Sequence, residues 1–363
     1  MQKDSQLHFK KTPSARSTDQ GFSMVELLVA MVIFMIITGA VYGVMRVAQQ
    51  GRGAINQHTQ LNKSVRMGMN LLGRDTYNAG YGYPLKNTVV LPDNRISVLL
   101  GIPNDFDNTR DTIPPIISGN DRTLNTYNTT ANVRTDQVTF LFKDTTFNPQ
   151  GLPGKEVSQP LDIFQSTVSG TGIDEIVPVS GSNAVCNVND IYLITGNTGS
   201  TLGVATALSG TNKIQFGNGD VLGINQPGSG NNIWTTTRGG ASIMRVQMVT
   251  YYVTADGTLM RREYANRPPA IPVVGWIDEP LVYGVENFQI QYVMDNGTIS
   301  DNPSAGPDGI PGNADDDQAN LAAIRQVRFT INVRTLDRDP SGAPYRETMT
   351  STFSTRNLGY EAN

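Results

Sequence analysis

The sequence predicts an α+β protein in which one long N-terminal helix, transmembrane and then amphipathic, packs on a β-rich, mainly antiparallel C-terminal domain. Three observations predict it. Leu27 to Met45 is a run of 19 residues without a charge, which as a helix covers about 28 Å, close to the hydrocarbon thickness of a bilayer. Beyond Arg46 the apolar residues Ile55, Leu61, Val65, Met69 and Leu72 lie close to three- or four-residue spacing, with Gln57, Lys63, Arg66 and Arg74 on other faces. From Ala241 onward the period changes to two, as in Val327, Phe329, Ile331 and Val333 against Arg328, Thr330, Asn332 and Arg334, the pattern of a half-buried antiparallel strand.

The totals narrow the function classes. With 363 residues the chain exceeds a bare anchor and suffices for one or two globular units. Charged residues make up 17% and glycines number 36, a composition that suits a turn-rich β domain. The net charge of −4 argues against general nucleic-acid binding, which asks for a basic surface. Cys186 is the single cysteine, so no internal disulfide forms. Its expected place is that of a small buried hydrophobe.

Residues 1–21 are polar, with Lys3, Lys10, Lys11 and Arg16 against Asp4 and Asp19. Positive charge ahead of a membrane segment holds that side in the cytoplasm and directs the following domain outward. A cleaved secretory signal carries small residues after its apolar region; here Arg46-Val47-Ala48-Gln49-Gln50 follows, and the Gly that offers a processing site, Gly21, precedes the run. Ser23-x-x-Glu26 has the spacing of a capping box. Glu26 is also an ionisable group at the edge of a spanning helix, where such groups are costly and functional by default.

Gly21-Phe22-Ser23-Met24-Val25-Glu26-Leu27-Leu28-Val29-Ala30 resembles the class III signal of type IV prepilins and type II secretion pseudopilins. The resemblance implies a leader over 1–21 that a prepilin peptidase removes between Gly21 and Phe22, methylation of the new amine, and retention of the helix. It also implies that Glu26 meets the terminal amine of a neighbouring subunit in the filament.

The helix is expected over 22–80, with its transmembrane half at 24–45. Gly80, Gly82 and Pro84 end it, and Arg74 and Asp75 read as a structural ion pair or cap. Residues 84–240 form an irregular, β-containing insertion region: Arg95–Leu100 reads as a short strand, and strands recur at Gln137–Phe142, Asp190–Thr195 and Lys213–Phe216. Residues 241–363 form an antiparallel sheet region. It opens on a hairpin, Arg245–Thr254 and Thr258–Tyr264, around Asp256-Gly257, followed by strands at Glu286–Met294, Arg325–Arg334 and Arg346–Asn357.

Arg74-Asp75-Thr76-Tyr77-Asn78-Ala79-Gly80-Tyr81, together with Asp256 to Arg262, Leu281 to Phe288, Val327-Arg328 and Thr355 to Leu358, resembles PilW-type minor pilins and, as near relatives, J-type pseudopilins of type II secretion. The resemblance implies a lollipop fold and a structural subunit that initiates or caps a type IV pilus in motility or cell adhesion. Its implied partners are the prepilin peptidase, the major pilin, other minor pilins and, before assembly, the lipid of a bacterial inner membrane that it crosses once with the domain in the periplasm. The alternatives are a J-type pseudopilin and a tip adhesin or binding subunit.

Catalytic motifs are sparse. Beyond the leader the one histidine is His58, no G-x-S-x-G occurs, and Gly154-Lys155 is followed by Glu156 rather than by Ser or Thr; the sequence does not read as an enzyme. One loop has metal-ligand character. Asn313, Asp315 and Asp317 alternate, and Asp308 stands across a Gly/Pro-rich turn, an arrangement of oxygen donors that suits Ca²⁺ without the order of an EF-hand. The other reading of the same residues is a solvated hairpin tip.

Overall fold

The computed structural model describes residues 21–84, 89–102, 110–128, 133–144, 161–168, 173–178, 186–197, 199–211, 213–225, 241–265, 275–303, 321, 323–338 and 343–358. The chain divides into two compact units, Met1–Asn56 and Gln57–Asn363. Helix α1 (Met24–Asn78) gives its first residues to one and its last 22, Gln57 to Asn78, to the other. In the first unit every described side chain from Phe22 to Gln50 is exposed, and the apolar residues cover all faces of the helix, as a membrane span requires.

The second unit is built almost wholly of strands. After α1 come β1 (Val90–Leu91), α2 (Arg95–Leu100), β2 (Asp111–Thr112), β3 (Ile116–Asn125) and β4 (Val133–Lys143). Next are β5 (Leu161–Val168), β6 (Ile173–Pro178), β7 (Ile191–Gly196), β8 (Gly199–Val204), β9 (Ala207–Ser209) and β10 (Lys213–Gly217). The hairpin β11 (Ala241–Val253) and β12 (Thr258–Tyr264) leads to β13 (Trp276–Tyr283), β14 (Val285–Met294), β15 (Ile299–Ser300), β16 (Ile324–Arg338) and β17 (Pro344–Ser354). The pairings between these strands are antiparallel; one isolated parallel bridge joins Val89 to Ser200.

Strand β11 is the organiser. Over Ala241–Ile243 it lies between β5 and β7, and over Met248–Tyr251 between β4 and β12. The residues before 240 therefore complete the same large sheet as the hairpin after it. β4 occupies a central place in that sheet, and its run Val138-Thr139-Phe140-Leu141-Phe142 is continuous because both faces are covered. Val138, Phe140 and Phe142, with Val249, Tyr251 and Val253 of β11, face a core shared with Val65, Met69 and Leu72 of α1 and with Phe288, Ile290, Phe329 and Ile331 of a second, four-stranded sheet, β15-β14-β16-β17. Leu141, Val246 and Met248 face a second core closed by Leu91, Ile96, Leu100 and Leu193.

Two side chains of the first sheet bind the backbone of the second. Asn125 donates to the carbonyls of Val285 and Glu286 at 2.8 and 3.0 Å. Asp136 accepts from the N–H groups of Asp121 at 2.9 Å and Ile290 at 2.7 Å. Burial pushes the Asp136 carboxyl up to about 7 against the pull of those two donors.

One expected strand is a helix. Arg95–Leu100 forms the single-turn α2, flanked by Asn94 at φ 64° and Gly101 at φ 65°. Ile96 and Leu100, four apart, both enter the second core, which a strand would prevent by placing Ile96 and Leu100 with the exposed Val98 on one face. Over so short a run, the tertiary contact of an i,i+4 pair outweighs the β-branched composition.

The end of α1 is fixed by close approach. A Cβ on Gly73 would lie 2.7 Å from Cδ1 of Phe353, and that ring packs against Phe329 at 6.0 Å and Tyr77 at 6.2 Å, so making room would disturb both contacts. Alanine is worth about 1 kcal/mol over glycine inside a helix, yet overpacking costs about 1–3 kcal/mol. Gly73→Ala is therefore expected to lower the thermal midpoint of the full chain, while Gly53→Ala, inside the same helix and with nothing within 4 Å, keeps the helix-propensity gain and does not lower it. A raised midpoint for Gly73→Ala in a melting experiment would refute this packing.

Candidate processing and assembly site

Gly21, Phe22 and Ser23 precede the first helical residue, Met24. Nothing lies within 4 Å of a Cβ built on Gly21, and Phe22 is 85% exposed. The bond between them is therefore non-helical and accessible, as a peptidase cleft demands of its substrate. Ser23 caps the helix: the N–H of Val25 donates to its Oγ at 3.4 Å, and its own N–H donates to Oε2 of Glu26 at 3.0 Å. This is the reciprocal geometry of a capping box, with the serine serving the second rather than the third helical N–H. The carboxylate also stands where the helix dipole favours negative charge.

Cutting after Gly21 would leave an ammonium on Phe22, next to the positive end of that same dipole. One carboxylate follows within the first turn, Glu26, and the next 19 residues offer no other charge. Thr38, one of two hydroxyl-bearing residues in that run with Tyr42, returns its hydroxyl to the carbonyl of Phe34 at 2.7 Å. Among the described residues α1 is the one helix long and apolar enough to cross a membrane.

In the second unit several charged side chains are committed to structure. Asp75, 1% exposed, receives the Tyr251 hydroxyl at 2.7 Å and Nε of Arg261 at 3.2 Å on one oxygen, and Nε of Arg74 at 3.0 Å on the other. The ion pair expected between Arg74 and Asp75 is present, but its buried half comes from β11 and β12. Burial pulls the Arg261 guanidinium down, and Asp75, Tyr251 and Glu263 more than offset that, so it is held above its ordinary value. Burial, then the Asp75 charge, raises Tyr251 and keeps it a donor. Glu286 of β14 likewise takes both arms of Arg346, at 2.8 and 3.2 Å.

Cys186 is buried in a third core with Tyr192, Ile194 and Phe216. Burial pushes its thiol up to about 12, the reverse of what a nucleophile needs. His58 packs edge-on against Tyr345 at 4.1 Å, and its Nε2 lies 3.4 Å from Nδ2 of Asn62. The described residues contain no group of three His, Cys, Asp or Glu arranged to hold a metal ion. Asp308, Asn313, Asp315 and Asp317 lie outside the described residues.

Residues 16–42 match the family model of the prokaryotic N-terminal methylation motif. No curated protein and no solved structure matches the chain. A motif of this kind implies processing by a prepilin peptidase and assembly with other pilins, and points to a structural protein. With the long apolar helix that it opens, it supports a type IV pilin-type protein anchored in the inner membrane.

Proposed function

We propose that the chain is a structural minor pilin of PilW type, cut by prepilin peptidase between Gly21 and Phe22, that acts in the initiation or tip assembly of a type IV pilus. The observation that carries the reading is the exposed Gly21-Phe22 step with Glu26 in the first helical turn, at the head of a helix apolar on every face. A soluble domain needs none of these, and a helix that ends as a plain anchor needs no carboxylate at its mouth. The described second unit supports a large head, with β11 tying strands from both sides of residue 240 into one sheet.

The role of Glu26 follows from charge balance. In the apolar interior of a filament, the ammonium of one subunit's Phe22 and the carboxylate of another's Glu26 compensate each other; either one alone stays uncompensated. The same carboxylate caps its own helix before assembly, so the two uses are sequential.

Deleting the gene is expected to reduce surface pili recovered by shearing, at unchanged levels of secreted type II substrates. Normal piliation with lost secretion would replace this reading with that of a J-type pseudopilin, whose C-terminal sequence motifs this chain also resembles. Normal piliation and secretion with lost surface attachment would favour the tip adhesin.

A further inference from the structure

Asp136 is a buried carboxyl without a cation. It lies on β4 in line with Val138, Phe140 and Phe142, on the face turned to the shared core, and it is 2% exposed. No ion pair holds it among the described residues. Other buried carboxylates are balanced differently. Asp75 has Arg261 and Arg74, Asp144 and Asp190 share Arg245, and Glu286 has Arg346 and Arg334. Asp220 stands in no described ion pair either, but its two oxygens accept three N–H groups of its own loop, from Leu222, Ile224 and Asn225.

What Asp136 holds is the seam between the two sheets. β4 belongs to the large sheet and β14 to the four-stranded one. One carboxyl oxygen takes the N–H of Asp121, where β3 breaks its register between Gly119 and Thr123, and the other takes the N–H of Ile290 in β14. Like charge faces it from Asp121 and Asp301. The hydroxyl of Tyr292, buried on β14 within electrostatic reach, has no hydrogen-bond partner among the described residues. The cations of this rim are turned elsewhere: Arg134 donates to the Asp121 carbonyl at 3.2 Å, Arg328 donates to Gln291 at 3.3 Å, and Arg122 stands close enough to Arg134 to feel its charge. A carboxylate buried in this way is costly unless compensated, and two N–H donors against two like charges compensate it only in part.

We propose that Asp136 is a proton-operated clasp between the two sheets: with the carboxyl neutral the seam is closed, and its ionisation loosens the seam. The second unit is then held more firmly in acid than at neutral pH and above. Burial raises this carboxyl from its ordinary value of about 4 to about 7. The closed seam therefore binds the proton more tightly than a chain in which Asp136 has reached water. The stabilisation is complete below about pH 4, is lost as the pH rises toward 7, and changes no further above it. The clasp is independent of the pilin reading, since every group in it belongs to the second unit.

The test is amide hydrogen exchange on the full-length chain in a neutral detergent, followed over Ile116–Asn125 and Val285–Met294, the strands whose N–H groups Asp136 accepts. Protection is taken relative to the intrinsic rate at each pH. It is expected to fall about ten- to a hundredfold between pH 5 and pH 8. Asp136→Asn keeps one acceptor oxygen and cannot ionise, so its protection is expected to be lower at pH 5 and flat with pH. Asp190→Asn, at the Arg245 cluster, is expected to keep the fall. Asp301→Asn removes one of the like charges at an exposed position and is expected to shift the end of the fall to lower pH, a readout that stands even where Asp136→Asn does not fold. Protection in the unaltered chain that is constant from pH 5 to pH 8, or that rises with pH, would overturn the proposal. So would a fall that Asp136→Asn leaves in place.

Discussion

Asp75→Ala is expected to destabilise the second unit strongly. Removing one member of a buried ion pair costs about 3–5 kcal/mol, since the remaining charge keeps its desolvation penalty without its partner. Here Arg261 retains Glu263 at 3.2 Å and Glu279 at 3.9 Å, which places the effect at the lower end. The Tyr251 hydroxyl, buried and donating to Asp75 at 2.7 Å, loses its acceptor and adds about 1 kcal/mol or more. A loss near 4 kcal/mol would lower the midpoint of a 150–250-residue domain by about 8–16 °C, and that of the larger second unit somewhat less. Removing both charges, in Asp75→Ala with Arg261→Leu, should recover part of it. Thermal unfolding of the three variants in detergent measures both effects; a midpoint for Asp75→Ala within 1 °C of the unaltered protein would show that the cluster contributes nothing.

Glu26→Gln separates capping from charge pairing. Glutamine also completes a capping box, and it keeps an oxygen to accept the Ser23 N–H now at 3.0 Å. If Glu26 only capped the helix, the substitution would be nearly silent. If it neutralises a neighbour's terminal ammonium in an apolar bundle, the variant leaves that charge unpaired at a cost of about 3–5 kcal/mol, a hundred- to several-thousandfold in association. Cleavage and membrane insertion are expected to be unaffected, because the apolar run from Leu27 to Met45 is intact. The measurement compares membrane levels with sheared-filament levels in the same cells. Equal incorporation of both forms would reject the pairing role.

The regions that sequence made legible share one property: a period that packing on one side enforces. The 3.6-residue period of α1 and the alternation in β16, where Val327, Phe329, Ile331 and Val333 are buried, both arise that way. Strand β4 is different. With both faces covered, its apolar run shows where a strand lies and hides which neighbours it has, so the sheet shared between β4, β7 and β11 was not visible as one unit. The buried cluster escaped for another reason, since Asp75 and Arg261 are separated by 186 residues and nothing local couples them. In α2 the failure is one of length: six residues hold too few turns for either period to declare itself. At the N-terminus the reading was strongest, because the chemistry of Gly21, Phe22 and Glu26 is written in consecutive residues and depends little on tertiary structure.

The mature N-terminus tests the account most directly. Membrane-extracted protein from cells with an active prepilin peptidase should begin at Phe22 with its amine methylated, by intact mass and by sequencing. Gly21→Val, which puts a branched side chain beside the scissile bond where there is now none, should leave the chain uncut. Retention of residues 1–21 in the unaltered chain, under conditions where a known prepilin in the same cells is processed, would contradict the reading of this protein as a prepilin.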